Sequence, residues 1–129
     1  MGIYDSRDFS DLIALSGDEV VTHSYVRDVT LASGKVLALV TLDNNRDYTR
    51  PSTLGPVGLL ELDNTLLNLA ARAAAGEIHA VAVTGKQYVL AAGADLSKIG
   101  RVPTRAASHQ IGELGHQGWK YRLRNLGDI

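Results

Sequence analysis

The sequence predicts an α/β fold, because segments with strand character and a segment with helical character alternate along the chain. Residues 19–31 are rich in β-branched and aromatic side chains, and Val36 to Leu42 is almost wholly apolar. A leucine-rich stretch with helical spacing follows Gly55-Pro56, and an apolar strand is predicted from Ile78 to Val83. The order strand, helix, strand is typical of layered α/β domains.

The first two strands are predicted to form a hairpin. Residues 19–31 alternate in part between two faces, as a half-buried strand does. Ala32-Ser33-Gly34-Lys35 has the composition of a tight turn. We therefore expect this turn to join residues 19–31 to a buried second strand at Val36 to Leu42.

The central helix is predicted to begin at Pro56, because proline suits the first helical turn, where its missing N–H is not needed. Apolar residues recur at i, i+3 and i+4 spacing from Leu59 to Ala73, and Gly76 ends the run. Strand, helix and strand in this order predict a right-handed parallel crossover.

Two further helical segments are predicted, one at each end of the chain. The opening segment ends at Ser16-Gly17-Asp18 and is expected to pack on the edge of the domain. The closing segment, 104–129, contains three glycines, each of which costs about 1 kcal/mol relative to alanine in a helix, so this helix should need a neighbour. The apolar residues that share helical spacing in the opening segment are Phe9, Leu12, Ile13 and Leu15.

Composition excludes several classes of function. The chain has 129 residues and a formal net charge of -1 without a basic tract, so it suits one domain and no nucleic-acid partner. It has no cysteine, which excludes a disulfide framework and agrees with a reducing compartment. The start, Met1 to Asp5, is polar and acidic, and no apolar run approaches the roughly 20 residues that span a bilayer. These features predict a cytoplasmic protein with no membrane partner.

The segment from Ala80 to Leu96 is the most informative part of the sequence. An apolar strand enters a turn at Thr84-Gly85-Lys86, and a short second strand is expected after it. Four small residues, Ala91-Ala92-Gly93-Ala94, then precede a helix start predicted at Asp95. Small side chains leave backbone N–H groups uncovered, and a helix N-terminus adds partial positive charge. The segment therefore predicts a corner that can stabilise a carbonyl oxygen as it becomes negative.

Four segments together resemble the N-terminal half of the enoyl-CoA hydratase/isomerase (crotonase) superfamily. The resemblance extends to hydratase-type members that carry the name 3-hydroxyacyl-CoA dehydrogenase. It covers roughly residues 20–129, with the elements in the family's order. The matching segments are Val36 to Asn44, Pro51 to Pro56 with its leucine-rich helix, Ala80 to Leu96, and Ile111 to Leu126.

The resemblance implies a crotonase-like spiral of ββα units, of which residues 19–129 are the N-terminal portion and residues 1–18 an extension. It implies an acyl-CoA substrate, with coenzyme A as part of that substrate and no separate cofactor or metal. The family's first oxyanion donor, a backbone N–H, corresponds to Ala94. The surrounding segment Ala91–Asp95 corresponds to backbone that meets the substrate, with Ala92 matched most closely to the adenine contact and Gly93 within it.

Two basic residues are candidates for the phosphates of coenzyme A by the same resemblance. Arg50 precedes the long helix, and Lys98 follows the small-residue segment. The resemblance also implies a homotrimer or homohexamer for the complete protein.

The sequence departs from the family in two respects. The family's Gly-Gly-Gly segment and the acid/base glutamates of hydratases are expected beyond Ile129. The loop from Asp43 to Pro56 is longer than the family's short turn, so the resemblance does not fix the register of the phosphate contacts. Two hypotheses follow: an enzyme that hydrates a 2-enoyl-CoA, or a truncated part that keeps some of the coenzyme A surface without catalysis. Isomerase, thioesterase and dehalogenase chemistries share the oxyanion corner and stay open.

Other candidate residues favour structural interpretations. Glu61 and Asp63 are two apart on the predicted helix, so we expect a solvated surface for them, and for Glu77, rather than an acid/base pair. His109 and His116 lack a third ligand at metal spacing. Asp95 favours a helix N-cap over a catalytic acid. Tyr88 is a candidate lining residue of the acyl pocket.

Overall fold

The computed structural model describes residues 9–14, 17–95, 105–106, 109–110, 112–114 and 116. Its described strands form one mixed sheet in the order β1-β2-β3. The predicted α/β class is confirmed at this level. In chain order the elements are α1 (Ser10–Ala14), β1 (His23–Thr30), β2 (Val36–Asp43), α2 (Pro56–Ala74) and β3 (Ala80–Gly85).

The predicted hairpin is confirmed. Strands β1 and β2 pair antiparallel, from His23 opposite Asp43 to Thr30 opposite Val36. In the connecting turn the N–H of Gly34 donates to the carbonyl of Leu31 over 2.9 Å. Gly34 has a φ of 83°, which glycine adopts without the cost that a Cβ would bring.

The core lies on one face of β2, beneath α2. Alternate β2 residues point inward, as the two-residue period of a strand requires, and the helix contributes residues at helical spacing. The predicted i, i+3, i+4 pattern of α2 is therefore a packing surface, and one face of β2 is buried while the other is only half-buried. The buried core residues are Ala38, Val40, Leu42, Leu62, Leu66, Leu69 and Ile78.

The C-terminal end of α2 has the hydrogen bonds of a Schellman motif. The N–H of Gly76 donates to the carbonyl of Ala73 over 3.0 Å, and the N–H of Glu77 donates to that of Arg72 over 2.9 Å. Gly76 has a φ of 77°, as this motif requires. The predicted helix stop at Gly76 is confirmed.

Arg72 ties this end of the helix to β1. Its guanidinium donates to both oxygens of Asp28, over 3.1 and 2.6 Å, and to Glu77 over 3.1 Å. The hydrogen bond from Arg72 lowers the pKa of Asp28 from its ordinary value of 3.8. The same two acidic partners raise the pKa of Arg72.

The N-terminal end of α2 is closed by a carboxylate from outside the helix. Pro56 occupies the first turn, as predicted, and Gly55 is the N-cap. The N–H of Val57 donates to Glu19 Oε2 over 3.0 Å, and a Cβ on Gly55 would overlap the Glu19 side chain. A negative charge at this end is favourable, because the N–H groups of the first turn have no partners within the helix.

Strand β3 pairs parallel to β2, from Ala80 opposite Leu37 to Gly85 opposite Leu42. The predicted parallel crossover is confirmed, although β3 begins at Ala80, two residues after Ile78. The predicted short strand after Lys86 is wrong, since residues 86–90 contain turns and bends. The chain folds back here so closely that a Cβ on Gly85 would overlap the carbonyls of Val89 and Leu90.

A second, smaller cluster joins both ends of the described chain to α2. Phe9 and Leu114 are buried together, with Leu59 and Leu60 packed against them. Helix α1 is therefore on the edge of the domain, as expected. Positions 105–106, 109–110, 112–114 and 116 are helical, and the rest of the predicted closing helix lies outside the described residues.

Candidate functional site

The small-residue segment runs beside the loop that precedes α2. Leu54 and Ala94 form an isolated parallel bridge. The N–H of Leu54 donates to the Gly93 carbonyl over 2.8 Å, and the N–H of Asp95 donates to the Leu54 carbonyl over 3.1 Å. Two segments far apart in the sequence are thus held in register at the carboxyl end of β3.

This bridge decides the direction of the Ala94 backbone. In a parallel pair, one residue uses both its own N–H and its C=O, while the opposite residue has them on the other side of its strand. Leu54 is the residue that uses both, so the N–H of Ala94 points away from Leu54. Within residues 17–95 this N–H has no hydrogen-bond acceptor, and Ala94 is exposed. Its amide is therefore not committed to any hydrogen bond within residues 17–95.

The neighbouring residues of the segment have different roles. The N–H of Ala92 donates to the Ser52 carbonyl over 2.7 Å, so this donor is committed within the chain. Gly93 has a φ of 90°, and a Cβ there would have no atom within 4 Å. Ala91 is half-buried. The predicted N-cap role of Asp95 concerns residues 96–100, which lie outside the described residues.

Lys86 holds the loop between β2 and α2. Its ammonium contacts the carbonyls of Arg46, Asp47 and Arg50 over 3.0, 2.9 and 2.6 Å, and Asn44 Oδ1 over 2.6 Å. An ammonium has three N–H donors, so these four oxygens saturate it. Residue types did not reveal this role, because three of the four acceptors are backbone carbonyls, which any residue carries.

Asn44 supports the same loop from within the protein. Its side chain is only 8% exposed. Its amide group donates to the carbonyls of Arg50 and Pro51 over 3.3 and 3.4 Å, and its oxygen accepts from the N–H of Arg46 over 3.1 Å. Asp47 closes the loop through hydrogen bonds from Thr49, which lower the pKa of the Asp47 carboxyl.

A polar cleft of about 260 Å³ opens beside this loop. Two cationic residues, Arg46 and Arg50, line it together with two anionic ones, Asp18 and Asp95. Of the predicted site residues, Arg50 and Asp95 therefore share one cleft, while Lys98 lies outside the described residues. Arg46 is a site candidate that the sequence reasoning did not single out. The remaining lining residues are Val20, Asn44, Pro51 and Thr53.

Tyr88 lies on the surface rather than inside a pocket. Its side chain is 80% exposed, and its ring meets that of Tyr48 edge to face, with centroids 5.7 Å apart. The predicted lining of an acyl pocket by Tyr88 finds no support in this arrangement. The pair instead connects the turn after β3 to the loop that Lys86 holds.

The prediction of a solvated surface is wrong for Asp63, whereas the Glu61 side chain is still 36% exposed. Asp63 is only 8% exposed. Glu61 accepts the Ser24 N–H over 3.0 Å and lies 3.0 Å from His23 Nδ1. Glu61 therefore has structural contacts with β1, which packs against its side of the helix. Glu77 is exposed, as expected, and pairs with Arg72.

No group of three or more metal-ligating side chains comes together among the described residues. In the same part of the chain, no helix has the length and apolar character to cross a bilayer.

Comparisons of this chain with protein-family models, with curated proteins and with solved structures found no match. The resemblance to the crotonase superfamily therefore depends on the four sequence segments alone.

Proposed function

We propose that the complete protein is an enoyl-CoA hydratase/isomerase-type enzyme that acts on acyl-CoA thioesters, with hydration of a 2-enoyl-CoA as its reaction. The observation that carries the proposal is the Ala94 amide, which points away from Leu54 and has no acceptor within residues 17–95. It lies in a segment similar to the family's oxyanion segment. The α/β order of the described elements agrees with the same family.

The proposed reaction adds water across the double bond of the thioester. The water oxygen bonds to C3, and the electron pair of the C2=C3 bond moves so that the thioester oxygen carries the negative charge of an enolate. Water gives up one proton to a base, and C2 then takes up a proton as the enolate collapses. A fixed N–H at the thioester oxygen stabilises the charge where it develops. Ala94 supplies that donor in this proposal.

The phosphates of coenzyme A would bind in the cleft. Arg46 and Arg50 are among the residues that line it, as is Asp95 next to the bridge, and phosphates favour guanidinium donors. Lys98 is the further candidate from the sequence. The carbonyl of Ala92 is the group of that residue proposed for the adenine, because its N–H is bonded to Ser52.

The oxyanion role is tested with acetoacetyl-CoA and the substitution Ala94→Pro. This ligand ionises at C2 to an enolate that absorbs light, so the enolate fraction reports stabilisation of the anion without requiring turnover. Proline removes the N–H, and because that N–H takes no part in the bridge to Leu54, the bridge should survive. We expect enolate stabilisation to fall by about 10²–10³, the typical loss for one oxyanion donor.

The matched control is Ala94→Gly, which keeps the N–H and should keep most of the enolate signal. Crotonyl-CoA hydration by the complete protein, followed by loss of the conjugated thioester absorbance, gives the second readout. An enolate signal that is equal in the proline variant and the wild type would refute the oxyanion role of Ala94. A complete protein that binds no acyl-CoA would refute the proposed function.

A further inference from the structure

The ammonium of Lys86 binds the loop of residues 44–50 rather than the turn in which Lys86 itself lies. It lies at the end of β3, yet all four of its oxygen partners belong to that loop. Three of them are main-chain carbonyls spread over five residues. The ammonium therefore fixes the path of the backbone rather than one side chain.

The loop fixed in this way presents the cationic side of the cleft. The carbonyl oxygens of Arg46 and Arg50 both accept hydrogen bonds from the Lys86 ammonium, and the same two residues line the cleft. Displacing either backbone carbonyl would displace the guanidinium attached to the same residue. Both side chains are exposed, so the backbone position is the main constraint on where their charges lie.

We infer that Lys86 is a positioning residue that holds Arg46 and Arg50 in place for the phosphate groups of an acyl-CoA. The identity of the ligand rests on the proposed function. The hydrogen bonds from Lys86 to the loop, which we call the clamp, do not depend on the proposed function. The donors of Lys86 are saturated by protein oxygens, so in this arrangement Lys86 acts only through the two arginines.

The first test measures, without any ligand, how well the clamp protects the loop from proteolysis. Trypsin can cut after Arg46, whereas the bond after Arg50 precedes a proline. We expect Lys86→Met to speed cleavage after Arg46 severalfold, and the matched charge removal Lys35→Met, in the β1–β2 turn, to leave it unchanged. Butylammonium also enters trypsin's own lysine pocket, so its effect is compared between variants. It should slow cleavage of Lys86→Ala more than cleavage of Lys35→Met, because only in the former can it supply the missing N–H donors to the loop. Unchanged cleavage in Lys86→Met would overturn the inference.

The second test separates phosphate binding from thioester binding. Calorimetry with crotonyl-CoA and with crotonyl-pantetheine, which lacks the phosphates, gives two affinities for each variant. Lys86→Met should weaken crotonyl-CoA binding about tenfold or more, as loss of a hydrogen bond to a charged group does, and should spare crotonyl-pantetheine. Lys86→Gln, which retains two N–H donors, should show an intermediate loss and serves if the Met variant does not fold.

The outcomes are distinguishable. If the wild type binds neither thioester, the proposed function and the ligand assignment fail together, while the cleavage assay still shows whether the clamp exists. If the wild type binds both thioesters equally well, the proposed function stands and the phosphate role of the arginines fails. If Lys86→Met loosens the loop but weakens both thioesters equally, Lys86 has a general structural role and the inference is overturned.

Discussion

Gly93 offers a test of whether the conformation of the oxyanion segment matters to the ligand. Its φ is 90°, and a Cβ would meet no atom within 4 Å. The cost of Gly93→Ala is therefore conformational and not steric. An L-residue in the left-handed region costs roughly 1–2 kcal/mol, and we expect the free energy of unfolding to fall by about that amount.

Gly34 provides a matched control for this substitution. Its φ is 83°, and a Cβ there likewise meets nothing within 4 Å. Gly34→Ala should lower the free energy of unfolding by a similar amount, about 1–2 kcal/mol, for the same reason. The two variants differ in location, since Gly34 lies in the hairpin turn and Gly93 lies next to the Ala94 amide.

The assay combines urea unfolding with the acetoacetyl-CoA enolate absorbance. Relief of strain at residue 93 would rotate the peptide that carries the Ala94 N–H, so Gly93→Ala should lose enolate signal while Gly34→Ala keeps it. Equal enolate signals in the two variants at equal loss of stability would refute the reasoning, because the amide direction would then have no bearing on the anion.

The remaining predictions concern stability. Because Arg72 lowers the pKa of Asp28 below its ordinary 3.8, this carboxylate stabilises the fold above about pH 4, and that contribution declines as the pH falls through the lowered pKa. The urea midpoints of wild type and Arg72→Gln should therefore differ at pH 7 and converge at acidic pH. The control Arg27→Gln should have the wild-type midpoint at both pH values. A difference between wild type and Arg72→Gln that is undiminished below the Asp28 pKa would contradict this linkage. Replacing Leu69, a core residue that is 2% exposed, by alanine should lower the free energy of unfolding by about 2–5 kcal/mol, as measured by urea unfolding. Leu90→Ala, at a residue 60% exposed, should change stability by less than about 0.5 kcal/mol, and equal losses at the two leucines would contradict the assigned core.

Local sequence patterns were sufficient for most of the described elements. The hairpin turn at Gly34, the start of α2 at Pro56 and its stop at Gly76 each depend on the backbone preferences of one or two residues. The leucine spacing of α2 and the apolar run of β2 identified the core, because the spacing of apolar residues indicates which face of an element is buried. The prediction of a short strand after Lys86 is wrong. The chain there folds back so that Val89 and Leu90 approach Gly85 closely, and local residue patterns do not reveal such an approach.

The candidate site was only partly predictable. The small residues of Ala91–Asp95 and the family resemblance predicted this segment as part of the site. Arg50 was predicted because it is a basic residue in the loop before α2. The sequence could not place Arg46 beside Arg50 in one cleft, and it gave no sign of the buried state of Asp63. Such facts depend on which segments meet across the fold.

The sequence by itself determined most of the described helices and strands and which small residues could leave a backbone amide uncovered, because those properties arise within a few neighbouring residues. Only the tertiary structure decided that the N–H of Ala94 points away from Leu54 and that Lys86 holds the loop of residues 44–50. Both follow from hydrogen bonds between backbone groups about 40 residues apart or between a side chain and such groups. Every residue carries the same backbone groups, so residue types alone cannot reveal how these groups pair.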